Sequence, residues 1–162
     1  MRAAAALLCV AGAASGALAT LKTTVTYSTA YDIGKTSLNN VACSDGSNGL
    51  LTKGTFMSSF FLLLTDILLT TGYTTFDSLP RFPYIGGAHD IAGWNSDLCG
   101  SCWNLDYNGK TMFIMAVDAS PGQGFNIGKQ AMDELTNGEG IFRGSVEVTY
   151  TRVDASYCLN VD

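Results

Sequence analysis

The sequence predicts a small, mostly β protein, a barrel or sandwich with few helices. Three features carry this reading: short segments in which threonine, valine and tyrosine alternate with polar residues, an Asn108-Gly109 pair between two strand-like segments, and glycine-rich turns elsewhere. At 162 residues and 47% hydrophobic content the chain suits one domain with a sizeable core.

Taken in order, residues 22–31 (KTTVTYSTAY) read as an early strand, and 43–49 (CSDGSNG) as a turn cluster before the apolar Leu50-Leu51. Residues 79–95 hold two prolines and three glycines, which predicts a shaped loop. The segments 102–107 and 110–117 flank Asn108-Gly109 and predict a hairpin. Asn126 is placed to cap a helix over 127–136, where Ile127, Ala131 and Leu135 recur four apart and Asn137-Gly138 closes the run. Residues 145–153 alternate as a half-buried strand. There is no repeat and no linker that would divide residues 20–162 into two domains.

The first 19 residues place Arg2 ahead of an alanine and leucine run and end on Ala17-Leu18-Ala19, the pattern of a secretory signal, so the mature chain is expected to begin near Thr20. Cys9 leaves with that leader. Cys43, Cys99, Cys102 and Cys158 remain, an even set that predicts two disulfides in an oxidising compartment, with three pairings open. Cys99 and Cys102 have C-x-x-C spacing, but one histidine and two scattered cysteines do not complete a zinc site, so no metal or cofactor is expected. With 14 acidic against 9 basic residues and no basic cluster, nothing steers the chain to phosphate backbones or anionic lipid, and nucleic acid is not expected as a partner. Trp94 and Trp103 suggest sugar stacking, but each sits beside a cysteine-stapled segment and reads as core, and His89 reads as an ordinary loop histidine without a nucleophile motif.

Residues 55–72, TFMSSFFLLLTDILLTTG, do not fit this pattern. The continuous apolar part, 60–69, contains Thr65 and Asp66 and is half the roughly 20 residues that a membrane span needs. As a helix it is apolar on every face, which a filled barrel has no room to wrap. Gly54-Thr55 and Thr71-Gly72 can be encoded with the GT and AG of intron ends. Excision between them is in frame, removes 18 codons and regenerates one glycine, so the segment reads as a retained intron.

Several separate motifs resemble the cerato-platanins, small secreted fungal proteins: VACSDGSNGL at 41–50, SLPRFPYIGG at 78–87, IAGWNS and LCGSCW within 91–103, AVD at 116–118 and GFNIG at 124–128. The similarity runs from about Val25 to Cys158, and residues 55–72 are its one departure. The resemblance implies a six-stranded double-psi β-barrel like the expansin N-terminal domain, with Cys43 paired to Cys99 and Cys102 to Cys158. It implies a monomeric, non-enzymatic protein of the cell wall and extracellular space that binds N-acetylglucosamine oligomers, loosens wall polysaccharides without hydrolysis and elicits plant defence through an immune receptor. Asp118 matches the family's essential acid, and Asn126 a groove amide able to donate to and accept from sugar hydroxyls. Tyr31, Asp32, Ser44, Asp45 and Gly46 fall in segments that border the groove. Hydrolysis needs a second carboxyl group, and no motif marks one. The rivals are a surface-active, self-assembling wall protein and a weak expansin-related glycosidase.

Overall fold

The computed structural model describes residues 21–53, 72–120, 122 and 124–159; the predicted signal sequence and residues 55–71 of the apolar segment lie outside them. Six strands, β1 (Leu21–Ser28), β2 (Ile85–Ala88), β3 (Cys102–Tyr107), β4 (Lys110–Ala119), β5 (Phe125–Gly128) and β6 (Ser145–Val153), close into a barrel in the order β1-β5-β2-β4-β3-β6. The pairs β1–β5 and β2–β4 are parallel, and the other four are antiparallel. Among the described residues are four short α-helices, α1 (Leu50–Lys53), α2 (Lys129–Thr136), α3 (Glu139–Arg143) and α4 (Ser156–Leu159). None of the helices among the described residues is long and apolar enough to cross a membrane.

Alternation along the strands sorts the side chains. Val25, Leu105, Ile114, Phe125, Ile127 and Val148 are buried, while Thr26, Asn104, Phe113, Asn126 and Glu147 between them face outward to varying degrees. The two disulfides join Cys43 to Cys99 and Cys102 to Cys158, and all four cysteines are buried.

The hairpin forms as expected. Asn108 and Gly109 take φ of 53° and 86°, the left-handed pair that a two-residue turn between twisted strands requires. Two strands were not legible as such. β2 lies within the segment read as a loop, and its four residues are buried throughout, so they show no alternation. Gly86 is required there because a Cβ would overlap the Asn126 carbonyl on β5. β5 occupies the place assigned to a helix start. The helix begins only at Lys129, and its N-terminus is closed by Asp32, whose carboxylate oxygens accept from the backbone N–H of Lys129 and Gln130 at 3.2 Å each. Asn126 is therefore a strand residue and not the helix cap. Asn137, at φ 50°, ends α2 as expected.

The flanks of the apolar segment meet. A Cβ on Gly72 would overlap the Leu51 carbonyl oxygen, so the chain returns to the turn of α1 that it left. Because Gly72 already lies against Leu51, two residues before Lys53, one glycine can join Lys53 to Tyr73 across a short gap. A protein lacking residues 55–72 is expected to keep its thermal midpoint and far-ultraviolet spectrum and to gain solubility. Loss of the cooperative thermal transition in that deletion would contradict the excision.

Candidate functional site

The site is built where β1, β5, β2 and β4 pass side by side. Thr26 pairs with Asn126, Asn126 with Gly87, and Gly87 with Asp118, so these residues form one row across four strands. With strands roughly 4.8 Å apart, Asn126 and Asp118 stand about 10 Å from each other across the glycine. The register shifts between Gly86 and Gly87, a bulge that brings Asp118 opposite Gly87 instead of Val117. The floor between the amide and the carboxylate is bare backbone, and a Cβ on Gly87 would come within 2.9 Å of the Ala119 carbonyl oxygen.

Asp118 is half-buried and held by three donors. Oδ1 accepts from the backbone N–H of Ala42 at 2.9 Å and of Ala119 at 2.8 Å, and Oδ2 accepts from the Tyr31 hydroxyl at 3.1 Å. A carboxylate offers about four acceptor sites. One, on Oδ2, remains for a ligand hydroxyl. Asn126 is also half-buried, and its Oδ1 is shielded from solvent without a hydrogen-bond partner among the described residues. Leaving such an acceptor unmade is unfavourable, so a rotation of the amide that brings it to a ligand hydroxyl gains a hydrogen bond.

Tyr31 reaches Asp118 from the 3-10 turn Thr29–Asp32, which Ser28 caps, and its ring packs 6.0 Å from Phe76. Burial, then the adjacent Asp118 charge and hydrogen bond, raise the Tyr31 hydroxyl above the usual tyrosine range. Because the folded-state pKa is the higher one, the stability from the protonated pair is complete below the unfolded value of about 10 and is lost as pH rises above it. Tyr31→Phe is accordingly expected to lower the urea midpoint at pH 8, with the difference from the parent protein narrowing above pH 10. A difference that stays constant to pH 11.5 would rule out this pairing.

Asp32, next in the chain, gives both oxygens to α2 and faces the row only through its neighbour. Ser44, Asp45 and Gly46 continue from Ala42, which binds Asp118, and from Cys43, whose N–H donates to the Val117 carbonyl. Ser44 is buried and Asp45 exposed, and the Asp45 Oδ1 accepts from the Trp94 indole at 2.6 Å. The structure thus joins Tyr31, Asp118 and Asn126 with Ser44, Asp45 and Gly46 at one end, and assigns Asp32 to helix capping.

Trp103 is core, 4% exposed, but Trp94 is not: it is 65% exposed. Proximity to a cysteine misled the sequence reading, whereas the flanking Gly93 and Asn95, both at positive φ, were the available sign of a surface turn. His89 is packed edge-on against Phe125 and Tyr150 at 5.5 and 5.4 Å, so it is part of an aromatic cluster at the barrel mouth and not a plain loop residue.

The site is thus a polar row over a glycine floor on a closed six-stranded barrel that two disulfides staple. The family description Cerato-platanin matches residues 23–61 and 65–161, the match breaking inside the apolar segment. The chain is 44% identical over 134 residues to Allergen Asp f 15 of Aspergillus fumigatus, covering 83% of this chain and 75% of the relative. Among solved structures, cerato-platanin 3 from M. perniciosa superposes with a TM-score of 0.70 at 40% identity, over 85% of this chain and 98% of that one. The solution structure of the fungal elicitor Cerato-Platanin gives 0.65 at 35% identity, over 85% and 97%. The chain belongs to the cerato-platanin family.

Proposed function

We propose that the protein is a secreted, non-hydrolytic binder of wall polysaccharides of the N-acetylglucosamine type, and that the row from Thr26 to Asp118 is its groove. The observation that carries this reading is the pairing of an unpartnered Asn126 amide oxygen with the one free acceptor site of Asp118 across a floor without side chains. Such a row accepts from and donates to sugar hydroxyls, competing with the hydrogen bonds that hold polysaccharide chains together. The neighbouring acids support separation without cutting: Asp32 gives both oxygens to α2, and Asp45 gives Oδ1 to the Trp94 indole, so each has a structural role apart from Asp118, whereas a two-carboxylate hydrolysis needs a second acid dedicated to it. Two disulfides and the signal-like N-terminus support export to the wall, and the likeness to a fungal elicitor supports recognition by a plant receptor.

Calorimetric titration with chitin oligosaccharides, followed by a reducing-end assay on the same mixtures, tests this. Saturable binding with no new reducing ends is expected. Release of reducing ends that disappears in Asp118→Ala would establish the glycosidase instead. Phe142, 94% exposed on α3, favours a second reading, adsorption at interfaces, which Phe142→Ser would diminish without changing sugar binding.

A further inference from the structure

The loop that binds the carboxylate end of the row also holds a side chain that the family resemblance did not single out. Trp94 presents a large apolar ring to solvent, 65% exposed, while Trp103 is almost wholly buried. A tryptophan left exposed is unremarkable when it is mobile, but Trp94 is fixed from several sides. Its Nε1 donates to Asp45 at 2.6 Å. The next residue, Asn95, accepts the Asn48 backbone N–H at 2.9 Å and receives its side-chain amide on the backbone carbonyl at 3.0 Å. Gly46, at φ 88°, lets the loop pass so close that a Cβ would sit 2.6 Å from the Asn95 side chain. The Cys43–Cys99 disulfide ties the same two loops covalently.

Its position relative to the groove follows from the chain. Ala42 N–H is bonded to Asp118, and Asp45 lies three residues on, at most about 11 Å away in an extended chain. The indole, held by Asp45, therefore lies within the reach of an oligosaccharide that starts at the carboxylate. Pyranose rings carry polar rims and apolar C–H faces, and an indole face is the complementary surface for such a C–H face. A ring already held in place loses little freedom when it is covered.

We propose that Trp94 is an aromatic platform that extends the groove and stacks on a sugar ring of the longer oligosaccharides, so that it sets the chain length the protein prefers. This rests on the carbohydrate reading given above. The test compares chitin disaccharide and hexasaccharide, by calorimetry and tryptophan emission, in the parent protein, Trp94→Ala and Trp94→Phe, with thermal midpoints as a control for folding. Trp94→Ala is expected to weaken the hexasaccharide about three- to tenfold and leave the disaccharide unchanged, with Trp94→Phe recovering most of the loss. Emission should shift with the hexasaccharide alone. A parent protein that binds, with Trp94→Ala affecting both lengths equally or neither, overturns the platform and leaves the groove standing. A parent protein that binds neither length overturns the carbohydrate reading and the platform with it.

Discussion

Replacing Cys102 and Cys158 together by alanine is expected to lower the unfolding free energy by about 4 kcal/mol while leaving sugar binding intact at temperatures where the variant is folded. The bond closes a loop of 56 residues, and the chain-entropy relation assigns about that much to a loop of such length. Its local setting gives the same direction. Cys102 opens β3, and Cys158 lies in α4, a helix of four residues too short to persist alone. Freed, α4 withdraws Tyr157 from its stacking on Phe113, 4.9 Å away. The Cys43–Cys99 bond spans an equal separation and is expected to stabilise by about the same amount. Its removal differs in consequence, because it anchors the loop from Ala42 to Asp45 beside Asp118, so binding falls as well. The loop it closes contains the apolar segment. Shortening that loop by 18 residues alters the entropy by only a few tenths of a kcal/mol, about what a logarithmic dependence allows. Denaturant midpoints with oligosaccharide titrations on the two double variants check this; equal loss of binding in both would contradict it.

Asp118→Ala is expected to weaken oligosaccharide binding at least about tenfold and to destabilise by about 1–3 kcal/mol, because hydrogen bonds to a charged group are among the stronger ones and three donors lose their acceptor. The two effects separate in Asp118→Asn. Its amide oxygen still accepts from Ala42 and Ala119, and its NH2 can donate to the Tyr31 oxygen, so most stability returns. The free acceptor that the ligand uses does not. Urea unfolding and calorimetry on both variants read this out; an Asp118→Asn protein that binds as well as the parent would remove the carboxylate from the binding mechanism.

Where local pattern decides the backbone, the sequence was readable. The Asn108-Gly109 turn, the alternation of β6 and the αL stop at Asn137 each depend on neighbours in the chain. β2 was hidden because burial on both faces removes alternation, and its glycines, which read as loop, answer to the approach of β5. The N-terminus of α2 was misassigned to Asn126 because the true cap, Asp32, comes from 97 residues away. At the site, Asp118, Tyr31 and Asn126 came from the resemblance, but the reason they act together lies in strand register. Thr26 and Gly87 complete the row and carry no chemical signature of their own. Trp94 was read as core instead of as a stacking surface because exposure is a property of the tertiary fold.

Backbone amide shift mapping during titration with a chitin oligosaccharide tests the central claim most directly. The account predicts perturbations in a line through Thr26, Asn126, Gly87, Asp118 and the loop from Ala42 to Asp45, with the opposite face of β3 and β6 silent. Perturbations confined to that opposite face, or none at saturating ligand, would contradict it.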